Sequence, residues 1–147
     1  MARIASLLVA LTLAGVPQAR AAETVVKPYT FGPAPTSLCR TDSTIGGACF
    51  EIPEPRAELF VRARDSLGYW AHFRLILLDE NSIPIVHLET YGEHCADTPG
   101  WLRAPAHAAT LLVEIAEDPS FMASWCPHVS DDGAIEVTFR APLGTTS

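Results

Sequence analysis

Lysine is almost missing. Lys27 is the only one in 147 residues, and ten Lys and Arg stand against 17 Asp and Glu, a formal charge of −7. A chain this acidic has no electrostatic footprint for a phosphate backbone, which excludes nucleic acid as a partner. The same imbalance argues against anionic membrane surfaces. Long apolar runs are lacking too. The stretch Ile4 to Val16 is too short to span a bilayer, so no membrane anchor is expected. Catalytic signatures are the third absence: there is no Gly-x-Ser-x-Gly elbow and no His-Glu-x-x-His pair. Asp131-Asp132 precede Gly133 and read as a turn. Glu114 and Glu136 are candidates to face each other, but a carboxylate pair alone does not define a glycosidase. The expectation is a protein that is not an enzyme.

What is present begins with an export signal. Arg3, the apolar run to Val16 and the small-x-small step Ala19-Arg20-Ala21 have the layout of a cleavable signal peptide over residues 1–21. The expected processed chain, Ala22 to Ser147, has 126 residues and the length of one domain. Without Arg3 and Arg20 it carries eight basic residues against 17 acidic, a charge of −9. No cysteine stands at the cleavage point, so the expected location is secreted or periplasmic, without a lipid anchor. A domain of this size buries a modest core and gains from cross-links.

Residues 22–47 read as an extended lead-in and loop containing Pro28, Pro33 and Pro35. Val25 to Phe31 can add a strand only at a sheet edge, because Pro28 cannot donate to a ladder. From about residue 48 the period is two. AELFVRAR sets Ala57, Leu59, Val61 and Ala63 on one face. YWAHFRLILL sets Tyr69, Ala71, Phe73, Leu75 and Leu77 inward, with Trp70, His72 and Arg74 outward. IPIVHLET follows the turn Asp79 to Ser82, and ATLLVEI and AIEVTFR complete the series. Alternation over short segments with turn residues between them predicts antiparallel strands in two packed sheets. The expected fold is an all-β, jelly-roll-like antiparallel β-sandwich over 48–141, with a short tail at 142–147.

CFEIP, AELFVRAR, HFRLILLDENSIPIVHLET and the closing pair ATLLVEI and AIEVTF together resemble the bacterial pre-peptidase C-terminal domain over roughly Cys49 to Phe139. That resemblance implies a jelly-roll-like sandwich appended to, or exported beside, secreted hydrolases. The chain departs from the family pattern in two places. Its hairpin turn lacks the usual glycine, and Ala104-Pro105-Ala106-His107 replaces a glycine-tyrosine step. The shared features are strand patterns and carry no catalytic signature.

Three sets of residues are candidates for more than packing. The four cysteines form an even set in an export context, and their separations of 10, 46 and 31 residues fit no zinc-ribbon or finger spacing. Two disulfides are expected, Cys39–Cys49 and Cys95–Cys126, each worth about 2–4 kcal/mol. The alternative is free thiolates holding a metal. His72, His87 and Glu89 would share a face if their strands pair as a hairpin, a set suited to zinc or copper; otherwise they are solvent-facing, and no cofactor is bound. Phe60, Arg62, Trp70 and Arg74 fall on outward faces of neighbouring strands. Aromatic stacking beside guanidinium donors is a means of holding a carbohydrate or a protein ligand. The opposing reading is that Val25 to Phe31 merely covers these rings.

Overall fold

Among the described residues, the alternating segments form eight strands in two antiparallel sheets. The computed structural model describes residues 22–35, 38–41, 43–91, 98, 100–115 and 131–143, with backbone alone over 87–91. In chain order the strands are β1 (Glu23–Thr30), β2 (Gly47–Glu51), β3 (Glu58–Asp65), β4 (Phe73–Leu78), β5 (Pro84–Tyr91), β6 (Leu102–Arg103), β7 (Thr110–Ile115) and β8 (Asp132–Arg140). The first sheet has the order β1-β8-β3-β6 and the second β2-β7-β4-β5. First pairs with last, second with seventh, third with sixth and fourth with fifth, which is the nested arrangement of a jelly roll.

The inward set is the one the period-two pattern predicts. Leu59, Val61, Ala63, Phe73, Leu75, Leu77, Leu111, Val113, Ile115, Ile135, Val137 and Phe139 are all buried in one core cluster. β1 stands at the edge of the first sheet and pairs with β8 along its whole length. Pro28 is tolerated there because an edge strand leaves one side of its backbone unpaired. Lys27 closes the gap between the edge strands β1 and β2. Its ammonium donates to the Cys49 carbonyl and sits 5.2 Å over the Phe50 ring.

Two expected side-chain directions are corrected. Tyr69 is 48% exposed rather than inward, and His72 is buried rather than outward. Both follow from a change of sheet within the segment. Trp70 bridges Arg64, and the Ala71 N–H donates to the Ala63 carbonyl, so these residues still belong to the first sheet. Phe73 already pairs with Ile115 in the second. The chain turns the corner between Ala71 and Phe73, and the residue at the corner, His72, is enclosed.

The Cys39–Cys49 disulfide ties a 3-10 turn (Leu38–Arg40) to β2, with 5.4 Å between the Cα atoms. The segment around that turn lies across the outer face of the second sheet. Ala34, Pro35 and Leu38 line a cleft there together with Ile76, Leu78 and Leu112. Leu38, Ile76 and Leu78 are buried as a result. Cys95 and Cys126 lie outside the described residues, and so does the segment 1–21.

Tyr29 packs on the core with its hydroxyl buried, and that hydroxyl has no hydrogen-bond partner among the described residues. Burial, reinforced by the Asp65 and Asp132 carboxylates, pushes the phenol well above its ordinary range. The unfolded phenol ionises near pH 10 while the folded one stays protonated, so stability is complete below pH 10 and falls as pH rises beyond it. Tyr29→Phe is therefore expected to stabilise the protein by about 1 kcal/mol at neutral pH, since it deletes an unmatched polar group. It should also flatten the alkaline loss. Urea midpoints at pH 7 and pH 11 check both; a variant that is weaker at pH 7 would refute the reading.

Candidate functional site

The outer face of the first sheet is built by the alternate residues of β3 and β8 and by what lines the open edge of β3. Glu58, Phe60, Arg62 and Arg64 point outward because Leu59, Val61 and Ala63 point inward. Register places Arg140 opposite Glu58, Thr138 opposite Phe60 and Glu136 opposite Arg62. The other edge of β3 is covered piecewise. Arg103 and Leu102 pair with Glu58 and Leu59, the Thr98 hydroxyl accepts from the Val61 N–H, and Trp70 bridges Arg64.

This edge delivers two tryptophans to the same face. Trp101 is 37% exposed, and its ring centroid lies 5.9 Å from that of Phe60. The Arg140 guanidinium stacks on the same indole at 3.9 Å from the ring centroid. Trp70 is 41% exposed and carries the Arg64 guanidinium at 4.4 Å. A cation over an indole is favourable by about 0.5–1 kcal/mol at exposed sites and restrains both side chains. The two indoles stand beside residues four apart on β3, roughly 13 Å along the strand.

Glu58 organises one end of the face. Its Oε1 accepts from Arg140 Nε at 3.0 Å, and its Oε2 lies 3.8 Å from Arg103 Nη2. The carboxylate is buried although it points outward, because these two arginines flank it in register. Arg103 also donates to the Leu143 carbonyl at 3.1 Å, which brings the segment after β8 to this end. At the other end Asp65 shapes a tight turn. Its Oδ1 accepts from the Leu67 and Tyr69 N–H groups, both at 2.9 Å, and Gly68 takes a positive φ of 90°. The turn presents Leu67, Tyr69 and Trp70, which are 62%, 48% and 41% exposed.

Of the four residues expected to hold a ligand, Phe60, Arg62 and Trp70 share this face and Arg74 does not. Arg74 belongs to β4 in the second sheet, where it lies opposite Glu114 and pairs with it. The corner at His72 carries it to the far side of the sandwich. Conversely, Trp101, Arg140, Arg103 and Glu58 join the face although the strand pattern did not single them out. Arg140 and Glu58 are at outward positions of their strands, a signal that was available in the sequence. Trp101 precedes a strand of two residues, too short to show a period. β1 does not cover the aromatic rings: it lies beyond β8, on the far side from Trp70 and Trp101.

The histidine set is placed only in part. His87 is opposite Ile76 in the backbone register, four residues from His72 and so roughly 13 Å along the strand. The side chains of His87 and Glu89 lie outside the described residues. Among the described residues, no three His, Cys, Asp or Glu side chains are grouped closely enough to hold a metal ion, and no helix is long and apolar enough to cross a membrane.

Comparison of the chain with protein-family models, with curated proteins and with solved structures found no match.

Proposed function

We propose that this protein is an exported, non-catalytic jelly-roll module that binds carbohydrate on the outer face of its first sheet. The observation carrying this reading is the pair of half-exposed indoles, each held by a guanidinium, with Phe60 beside one of them. A sugar ring has an apolar C–H face that stacks on an indole, and hydroxyls around its rim that take hydrogen bonds from arginine and give them to carboxylate. On this face rings and polar groups alternate on that scale: Trp101 and Phe60, then Arg62, then Arg64 and Trp70. Export is supported by the signal-like segment and by a disulfide, which persists in oxidising compartments. The resemblance to pre-peptidase C-terminal domains fits a module acting beside secreted enzymes, and the proposal does not depend on it.

A protein partner is the second reading, favoured by the rigid turn that exposes Leu67, Tyr69 and Trp70. Tyrosine, tryptophan and arginine are the residues that dominate binding energy between proteins. Screening the processed protein on an array of plant, fungal and bacterial glycans separates the two. Binding is expected, and Trp70→Ala and Trp101→Ala should each weaken it about tenfold or more with the fold intact by circular dichroism. Arg74→Ala, on the opposite sheet, should leave it unchanged. An array without binding, or binding indifferent to both tryptophans, rejects the carbohydrate reading.

A further inference from the structure

The charge of this face is opposite to that of the chain. Among the described residues, its outward positions hold four guanidiniums, Arg62, Arg64, Arg103 and Arg140, against three carboxylates, Glu58, Asp132 and Glu136. Four of the ten basic residues of a protein with a formal charge of −7 are thus gathered on one sheet face. One carboxylate, that of Glu58, serves both Arg140 and Arg103. Arg62 is exposed and lies midway between the rows of Phe60 and Arg64, roughly 7 Å along the strand from each. The Phe60 row leads to Trp101 and the Arg64 row to Trp70.

Resting on the carbohydrate reading above, we propose that the ligand is an acidic oligosaccharide. Two of its sugar rings stack on Trp70 and Trp101, and a carboxylate or sulfate between them is received by Arg62, with Arg64 and Arg140 adding donors from the rims of the stacks. A guanidinium matches such an anion in charge and in the fork of its N–H groups. The remainder of the surface, rich in Asp and Glu, repels the same ligand and so confines it to this face.

Titration calorimetry with two matched pairs tests the charge directly. One pair is an oligogalacturonate and its methyl ester; the other is a sulfated cello-oligosaccharide and its unsulfated parent. The acidic member of one pair is expected to bind about tenfold or more tightly than its neutral counterpart, as a charge-assisted hydrogen bond requires. Whichever pair responds tells carboxylate from sulfate. Arg62→Gln should abolish the preference while leaving the melting temperature within a degree or two, and added salt should weaken the acidic ligand alone. Equal binding within both pairs overturns the proposal and leaves the carbohydrate reading standing. No binding by any of the four overturns both. A preference that survives Arg62→Gln overturns the assignment of the anion to Arg62.

Discussion

Gly133→Ala is expected to cost about 4 kcal/mol, among the largest losses that a single methyl group causes, and to lower the melting temperature by roughly 15 °C. Gly133 lies at the start of β8, between Tyr29 on β1 and Asp65 on β3. A Cβ built there would stand 2.1 Å from the Arg64 carbonyl oxygen, 2.7 Å from the Asp65 Cα and 2.6 Å from the Tyr29 hydroxyl. Two of those three atoms are backbone of the neighbouring strand, so relief requires the ladder to move. The phenol lies in the space that a side chain would need, the arrangement in which an aromatic ring fills in for a glycine across a strand pair. Gly68→Ala is the control. Its φ of +90° disfavours alanine, but nothing lies within 4 Å, so its cost is expected near 1 kcal/mol. Denaturant unfolding of the two variants settles the matter: similar losses would mean that the ladder yields around the added methyl group and crowding at Gly133 is slight.

The second large effect is expected from Cys39→Ser combined with Cys49→Ser. The bridge closes a loop with a separation of ten residues, and loop-closure entropy assigns about 3 kcal/mol to a constraint of that length. It also keeps the Leu38–Arg40 turn against β2, and with it the segment that covers Ile76 and Leu78 on the second sheet. The double variant should therefore unfold at lower urea and expose those side chains to a hydrophobic dye before the main transition. An unchanged midpoint would show that packing alone holds the segment in place. Binding at the first sheet should survive in the folded variant, because the disulfide belongs to the opposite layer.

The fold was legible wherever a strand was long enough to repeat its alternation. β3, β7 and β8 each bury the residues that the pattern selects, and Pro28 by its chemistry marks β1 as an edge. What a period cannot register is a strand that changes partner. The alternate residues Ala71, Phe73, Leu75 and Leu77 keep one inward phase, yet Trp70 and Ala71 pair in the first sheet and Phe73 onward in the second. Both sheets face the same core, so the inward phase survives the crossing while the outward residues are divided between opposite sides. This is why Trp70 stayed with Phe60 and Arg62 while Arg74 did not. Trp101 carries no such signal for a different reason, since its place depends on a register set by two residues of β6. Glu58 reads as a solvated charge because its burial comes from arginines 45 and 82 positions away.

The place of β8 in the first sheet also fixes when that sheet can exist. β8 is the strand that joins β1 to β3, and its pairing of Glu23 with Phe139 spans 116 positions of sequence. Until Asp132–Arg140 has been synthesised, β1 lacks its ladder partner and β3 has the two residues of β6 beside it. Contacts this distant in sequence form slowly, and none of them can nucleate on a growing chain. The first sheet therefore stays open until β8 is made. Under the export proposed above, that sheet closes only on the far side of the membrane.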